Sequence, residues 1–184
     1  APFYLAAGAI GHGEIRLTGL DPHSAQGDRA MVEILRDMGA EIRWEGETLV
    51  SRASKLHGLR VDCAQVPDLV PILAVAMAAA EGESRITGAA RLRIKESDRL
   101  SAMAAALTAA GADVSELPDG LIIRGGKRLH AAKIEGCNDH RIVMAMTMAS
   151  EIADGELMIT DAEATAKSAP ASWREFEHLG GLAR

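Results

Sequence analysis

The sequence has few aromatic residues and only two cysteines, and each scarcity argues against a class of function. Phenylalanine, tryptophan and tyrosine make up 3% of the 184 residues. This argues against a platform that stacks nucleic-acid bases and against an aromatic cage for cations. Cys63 and Cys137 lie far apart and neither belongs to a CxxC pair. That pattern argues against a zinc or disulfide framework and favours a reducing compartment.

The chain also lacks an excess of basic residues and a long apolar run. It has 20 Lys and Arg against 26 Asp and Glu, a formal net charge of -6, so no basic field attracts nucleic acid or an anionic membrane. No charge-free stretch is long enough to cross a bilayer. We therefore expect a cytoplasmic protein with no nucleic-acid and no membrane partner. The net charge gives the sum of the charges and not their placement, so it leaves a small anionic substrate open.

Three copies of a short motif organise the chain. Residues 13–19 read GEIRLTG, residues 82–88 read GESRITG and residues 155–161 read GELMITD. Each copy follows an Ala-rich apolar segment, over 4–10, 69–80 and 142–153 respectively. A repeat of this kind predicts three related supersecondary units. The length and the hydrophobic fraction of 48% suit one domain with a sizeable core.

Each unit is predicted to run from an apolar helix through the strand of the motif to an amphipathic helix and two closing strands. The segment 69–80, LVPILAVAMAAA, has no polar face, so it must be buried on every side. Gly46 and Asp119-Gly120 are expected to supply positive φ in the turns between the closing strands. The closing strands are predicted at 41–45, 48–51, 113–116 and 121–124. We expect an α/β fold in which sheets and amphipathic helices surround three buried helices.

Charged and polar residues concentrate where helices are predicted to start. They are Asp68, the run Lys95-Glu96-Ser97-Asp98-Arg99, the run Asn138-Asp139-His140-Arg141, and Lys167 in the loop before the last helix. Unpaired amides at helix N-termini attract anions. Lysine and arginine add formal charge, and arginine adds a planar fork that fits phosphate or carboxylate. These residues are candidates for binding a small anion.

Each candidate also has an ordinary structural interpretation. Glu96, which stands between two cations, is equally well explained as part of a surface charge cluster. His140 has the more frequent alternative of a packed or surface histidine, and Lys167 alone carries no information. The other five histidines show no metal-ligand spacing and no phosphate-loop motif occurs, so neither a metal nor a cofactor is predicted. Four residues are typical N-caps, the more frequent role for their types: Asp68, Ser97, Asp98 and Asp139.

Five segments resemble, in order along the chain, segments of the 5-enolpyruvylshikimate-3-phosphate synthases. Residues 93–99, RIKESDR, are very similar to the family's signature RxKE[ST]DR, and residues 138–141, NDHR, resemble its second signature. Residues 164–168, ATAKS, resemble the C-terminal lysine loop of the family, and 24–28 and 68–71 look like further family segments. The matches span nearly the whole chain in register, which argues against coincidence.

The resemblance implies the enolpyruvyl transferase fold. This fold has two similar globular domains, each made of three repeated βαβαββ-type units with buried parallel helices and surrounding sheets. Residues 1–184 would then be a single domain, the C-terminal part of a two-domain enzyme. The family's N-terminal strand and its other domain, with further substrate ligands, would be absent from this chain. On that basis we expect the isolated chain to bind phosphoenolpyruvate weakly and to be inactive.

The reaction implied by the resemblance is transfer of the carboxyvinyl group of phosphoenolpyruvate to the 5-hydroxyl of shikimate 3-phosphate, with release of phosphate. This is a step of the shikimate pathway of aromatic amino-acid biosynthesis. By motif, Glu96 would protonate and later deprotonate the methylene carbon, and Asp68 would take the hydroxyl proton. Lys95 would contact shikimate hydroxyls and share the proton transfer. The residues expected to contact phosphoenolpyruvate are Arg99, Arg141 and Lys167, with His140 as a neighbouring hydrogen-bonding residue.

Two alternatives and one departure accompany this interpretation. An enolpyruvyl transferase acting on a UDP-sugar shares the fold and chemistry, but its family lacks the Lys-Glu-Ser-Asp-Arg run. A non-catalytic, isolated half-domain is the second alternative.

Arg91 stands where some family members carry a substrate-binding asparagine, so that role is not assigned to it. Asp139 is expected to be a helix cap or a partner of another site residue.

Overall fold

A computed structural model describes residues 1–183 of the chain, along which helices are interspersed with single strands and groups of strands. The α-helices are α1 (Pro2–Ile10), α2 (Ala30–Asp37), α3 (Val70–Ala79), α4 (Arg99–Ala109), α5 (His140–Met148) and α6 (Ser172–His178). The strands are β1 (Glu14–Leu17), β2 (Glu41–Glu45), β3 (Thr48–Arg52), β4 (Arg60–Asp62), β5 (Gly82–Thr87), β6 (Asp113–Leu117), β7 (Gly120–Gly125), β8 (Leu129–Ile134) and β9 (Ala153–Ile159). Short 3-10 helices lie at Gly27–Arg29, Pro67–Leu69, Ala90–Ile94, Ala149–Ile152 and Ala162–Lys167.

The second unit shows the whole βαβαββ pattern. It runs β4-α3-β5-α4-β6-β7, and its sheet has the order β4-β5-β7-β6. β4 pairs in parallel with β5, whereas β7 is antiparallel to both β5 and β6. In the first unit the order β1-β3-β2 reproduces β5-β7-β6, and in the third the parallel pair β8-β9 reproduces β4-β5. The predicted threefold repeat is therefore confirmed.

Three apolar helices form the centre of the core. α1, α3 and α5 pack on one another, and every residue of α3 from Val70 to Ala78 is buried. The alanine side chains of these helices are small, so neighbouring backbones can approach closely. The amphipathic helix α2 buries Met31 and Leu35 against the same core. No helix within residues 1–183 is long and apolar enough to cross a membrane.

The third apolar helix differs from its predicted bounds of 142–153. α5 starts at His140 and ends at Met148, and a 3-10 turn covers 149–152. The Thr147 hydroxyl donates to the Val143 carbonyl at 2.8 Å, and the Ser150 hydroxyl donates to the Thr147 carbonyl at 2.7 Å. Side chains that bond to backbone carbonyls in this way compete with regular helix geometry, and the helix ends where they accumulate.

Positive φ was predicted in two turns between closing strands, and the structure has it in one of them. Gly46 has φ +63° in the turn between β2 and β3, as predicted. Neither Asp119 nor Gly120 has positive φ, so that prediction is wrong. An added Cβ at Gly120 would lie 1.8 Å from the Ile86 carbonyl oxygen on the neighbouring strand. Gly120 is required by this close approach of two backbones and not by its own φ.

Candidate functional site

The predicted site residues lie at the N-terminal ends of three helices. Asp68 is in the 3-10 turn directly before α3, and Arg99 is the first residue of α4. His140 and Arg141 open α5, and Lys167 ends the 3-10 segment that follows β9. α3, α4 and α5 contact one another, which brings their first turns together. We call the resulting group the cation–carboxylate cluster; it consists of Asp68, Lys95, Glu96, Arg99, Asp139, His140, Arg141 and Lys167.

A buried ion pair forms the centre of the cluster. Arg99 donates from Nε to Asp139 Oδ2 at 2.8 Å and from Nη2 to Asp139 Oδ1 at 3.2 Å. The Asp139 side chain is fully buried and that of Arg99 is 4% exposed. Burial alone would raise the pKa of Asp139, but hydrogen bonds from Arg99, from the Arg141 backbone and from Ser97 hold that pKa below its usual value. The pair fixes the guanidinium plane relative to both α4 and α5.

Asp68 lies on one side of this pair among three cations. Its carboxylate accepts from Arg99 Nη1 at 2.9 Å and lies 3.6 Å from Lys95 Nζ. Arg141 donates from Nη1 to the Asp68 backbone carbonyl at 2.9 Å, and its Nη2 lies 3.8 Å from the carboxylate. Asp68 therefore gathers the cationic ends of side chains from α4, from α5 and from the segment before α4.

Glu96 has a different set of neighbours. Its two carboxylate oxygens lie 3.0 and 3.1 Å from His140 Nδ1, and its Oε2 lies 3.5 Å from Lys167 Nζ. Arg99 Nη2 is 3.7 Å from its Oε1. Lys167 also donates to the Asn138 backbone carbonyl. The two predicted proton-transfer carboxylates thus approach different nitrogens of the same guanidinium group, Asp68 at Nη1 and Glu96 at Nη2.

Exposure increases from the centre of the cluster outwards. The side chains of Asp68, Lys95, Glu96 and Lys167 are between 36% and 43% exposed, whereas Asp139 and Arg99 are buried. The cluster therefore presents these four charged side chains on an open face. Four cationic side chains lie against three carboxylates, which leaves a local positive balance in a chain of net charge -6. Charge placement thus favours a small anion at this face.

Two of the four predicted N-caps do cap a helix, and two do not. Asp98 caps α4 by accepting from the Ser101 amide at 3.1 Å, and Asp139 caps α5 by accepting from the Arg141 amide at 2.9 Å. Burial opposes ionisation of Asp98, but the Ser101 amide and Arg93 hold the pKa of Asp98 below its usual value. The other two predictions are wrong. Asp68 makes the ion pairs described above, and the Ser97 hydroxyl donates to Asp139 at 3.0 Å.

Three residues of the cluster are of metal-ligand type and lie close together. Glu96, Asp139 and His140 each offer a ligand atom, and these atoms lie within 4.8 Å of one another. Both oxygens of Asp139, however, already accept from Arg99, and the cations of Arg99 and Lys167 adjoin Glu96. Neighbouring positive charges oppose binding of a further cation, so these three residues are a poor site for a metal ion.

Arg93 is a structural neighbour of the cluster, and no role was predicted for it from the sequence. Its guanidinium donates to the carbonyls of Pro118 at 2.8 Å and Leu117 at 2.7 Å, and to the carboxylates of Asp98 and Glu116. These bonds fasten the 90–94 turn to the β6–β7 hairpin, two residues before Lys95. The signal was present in the signature itself, whose first residue is this arginine.

Comparison with solved structures first gives the class of the fold. The enolpyruvyl transferase NikO from Streptomyces tendae matches with a TM-score of 0.80 over 100% of this chain and 42% of its own, at 18% identity, a level that supports the fold alone. EPSP synthase from Acinetobacter baumannii matches with a TM-score of 0.81 and 32% identity, over 96% of this chain and 44% of its own. The enolpyruvyl transferase fold is therefore confirmed.

Sequence comparison then gives the family. The family model of EPSP synthase (3-phosphoshikimate 1-carboxyvinyltransferase) matches residues 1–176, and the chain belongs to this family. A 3-phosphoshikimate 1-carboxyvinyltransferase of Clostridium novyi is 44% identical over 98% of this chain and 41% of its own length. One of Halobacterium salinarum is 44% identical over 99% of this chain and 43% of its own. The chain thus spans about two-fifths of the length of these relatives.

Proposed function

We propose that this chain is one domain, the C-terminal part, of a two-domain enzyme that transfers the carboxyvinyl group of phosphoenolpyruvate to the 5-hydroxyl of shikimate 3-phosphate and releases phosphate. One observation carries the proposal. Asp68 contacts Nη1 of Arg99 and Glu96 lies next to its Nη2, and each has its own further cation, Lys95 and Lys167 respectively. The family membership and the intact 93–99 signature support the same reaction.

The proposed chemistry needs two proton transfers at separate atoms. In the addition step the hydroxyl oxygen bonds to C2 of phosphoenolpyruvate, Asp68 takes the hydroxyl proton, and Glu96 gives a proton to C3, which becomes a methyl group. In the elimination step Glu96 takes a proton back from that methyl group, the C2–C3 double bond re-forms, and phosphate leaves with the electron pair of its C–O bond. Two carboxylates with separate surroundings suit this division of roles.

The surrounding cations have distinct positions for substrate binding. Arg141 and Lys167 are partly exposed, and we expect both to contact the phosphate or carboxylate of phosphoenolpyruvate. The Nε of Arg99 is committed to Asp139, so Arg99 is expected to contact substrate through its Nη atoms. Lys95 lies on the Asp68 side, consistent with contact to shikimate hydroxyls. His140 holds the Glu96 carboxylate in place.

Two alternatives bear on this proposal in different ways. A UDP-sugar as acceptor is disfavoured because the Lys-Glu-Ser-Asp-Arg run is intact, and the likeness to NikO concerns the fold alone. An inactive half-domain remains the expected state of the chain alone, because the chain spans about two-fifths of its relatives' length. We infer a cytoplasmic location, which the free thiols of Cys63 and Cys137 support.

The test combines this chain with the complementary N-terminal portion of an EPSP synthase; we call the mixture the reconstituted enzyme. Phosphate release is measured with phosphoenolpyruvate and shikimate 3-phosphate, with each substrate omitted in turn and with the chain alone as controls. We expect release only from the reconstituted enzyme and only with both substrates. Release with a UDP-sugar in place of shikimate 3-phosphate would move the assignment to the alternative transferase. Robust turnover by the chain alone would refute the half-site proposal.

A further inference from the structure

The third copy of the repeated motif departs from the other two at its last residue. Gly19 and Gly88 end the first and second copies, and both have φ +72°. Asp161 ends the third copy and keeps the same left-handed conformation, with φ +55°. This conformation costs a residue with a side chain more than it costs glycine. A side chain retained under that penalty needs a compensating contact.

The Asp161 carboxylate makes that contact with the turn that precedes α5. Its Oδ2 accepts from the Asn138 backbone amide at 2.9 Å. Asn138 and the preceding Cys137 themselves have positive φ, of +48° and +53°. Two consecutive left-handed residues other than glycine form a strained turn, which persists only where neighbouring groups hold it. Asp161 is the side chain that holds the Asn138 amide.

The same peptide unit leads directly to the cation–carboxylate cluster. The Asn138 carbonyl accepts from Lys167 Nζ, and that ammonium lies 3.5 Å from Glu96 Oε2. Asp139, His140 and Arg141 follow in the chain. The position of the Asn138 turn therefore sets where Lys167 rests and where α5 begins.

The second copy contains a comparable carboxylate that is supplied from another strand. Asp62, at the end of β4, accepts from the Ala64 amide at 2.9 Å in the turn that leads to Asp68. An added Cβ at Gly88 would lie 2.1 Å from Asp62 Oδ1, so the two side chains could not coexist. Both turns that lead to site residues thus have a carboxylate on a backbone amide, and in the third copy it comes from the motif position itself.

We propose that Asp161 is a positioning residue of the proposed active site: by holding the Asn138 turn, it places Lys167 against Glu96 for binding of phosphoenolpyruvate. The inference rests on the proposed function for the identity of the ligand. It extends that function, because Asp161 lies outside the 93–99 and 138–141 signatures and, within residues 1–183, its carboxylate bonds to the Asn138 amide and to neither Asp68 nor Glu96.

Three variants test the proposal. Asp161→Gly restores the residue of the other copies, tolerates the backbone conformation and removes the carboxylate. Asp161→Asn keeps an acceptor oxygen and also tolerates the left-handed region. Gly19→Asp is the matched control, because it puts aspartate at the same motif position, where nothing lies within 4 Å of an added Cβ. The control has the backbone penalty without the contact to a site turn.

Two readouts do not depend on turnover and are made on the chain. Loss of a hydrogen bond to a charged group changes the equilibrium constant between the closed and the open turn by about tenfold. In Asp161→Gly we therefore expect amide hydrogen exchange at Asn138 to accelerate by about tenfold. Acetylation of Lys167, followed by mass spectrometry, should also become several-fold faster. Asp161→Asn should restore most of the protection, and Gly19→Asp should change neither rate.

The third readout uses the reconstituted enzyme. Asp161→Gly should raise the KM for phosphoenolpyruvate by about tenfold and leave the KM for shikimate 3-phosphate within about twofold, with no loss of thermal stability. A general structural defect would raise both constants and lower the melting temperature. Unchanged exchange and Lys167 reactivity in Asp161→Gly, or a defect in Asp161→Asn as large as in Asp161→Gly, would overturn the inference. Failure of wild-type turnover would refute the proposed function alone, because the exchange and acetylation rates would still decide the role of Asp161.

Discussion

Replacement of Asp139 by asparagine should destabilise the chain strongly, because it removes one partner of a buried ion pair. The Asp139 carboxylate is fully buried and accepts from Arg99 at 2.8 and 3.2 Å, from Ser97 at 3.0 Å and from the Arg141 amide at 2.9 Å. Removing one partner of such a pair costs about 3–5 kcal/mol, and Arg99 would lose its only fully buried counter-charge and keep the partly exposed carboxylates of Asp68 and Glu96. For a chain of this size the melting temperature should fall by roughly 10 °C.

The pH dependence gives a second signature of the same group. Because the pKa of Asp139 is lowered in the folded chain, the unfolded chain binds the proton more tightly at acidic pH. The contribution of Asp139 to stability is therefore fully present above the ordinary pKa of an aspartate and is lost as pH falls through the lowered folded value. The Asp139→Asn variant should lack this part of the acid dependence, so its stability curve should be flatter below that range.

The assay is urea unfolding of the chain followed by circular dichroism across a series of pH values. Glu41→Gln is the control, because Glu41 is 53% exposed and pairs with Arg43 at 2.8 Å and Arg52 at 2.9 Å on the outer face of the first sheet. Exposed pairs contribute less than about 1 kcal/mol. A loss below about 1 kcal/mol in Asp139→Asn, or an acid slope equal to that of the unmodified chain, would refute the reasoning.

Three further predictions concern catalysis, backbone packing and thiol reactivity. Glu96→Gln in the reconstituted enzyme should lower kcat by about 100-fold or more and change substrate binding little, as expected for a proton-transfer group; an unchanged kcat in steady-state assays would remove Glu96 from that role. Gly120→Ala should cost about 3 kcal/mol in urea unfolding because its Cβ has no space, and Gly46→Ala, in open space at φ +63°, about 1 kcal/mol; equal costs would contradict the packing argument. With a thiol reagent at pH 8, Cys63, which is buried and has its pKa raised by burial to about 11, should react only on unfolding and well after the partly exposed Cys137; equal rates would contradict this.

The apolar segments and the motif spacing made the core predictable from the sequence. An all-apolar helix such as α3 has no face that favours contact with water, so it must lie in the core. Its burial could therefore be predicted from composition alone. The first strands of the units were not predicted. β4 has three residues with polar ends, and its place is set by parallel pairing with β5, which lies more than twenty residues away. Local sequence does not contain that partner.

The site was predicted residue by residue, but its internal contacts were not. Resemblance identified Asp68, Glu96 and Lys167, and the structure brings them into one cluster. Residue type alone could not separate Asp98, which caps a helix, from Asp68, which pairs with cations, because both are aspartates next to a helix start. The distinction depends on which side chains approach from other helices.

The position of Arg99 explains why one repeat unit cannot form the cluster alone. Arg99 belongs to the second unit, and it bonds to Asp139 of the third unit and to Asp68 at the start of α3. A shift between the second and third units would therefore separate Arg99 from Asp139, and it would also move Arg141 away from Asp68 and His140 away from Glu96. The two proposed proton-transfer groups are coupled through one buried side chain, and the packing of α3, α4 and α5 sets their environment. For this reason, a substitution that loosens the Arg99–Asp139 pair should lower stability and kcat together, whereas Asp161→Gly should affect phosphoenolpyruvate binding without loss of stability.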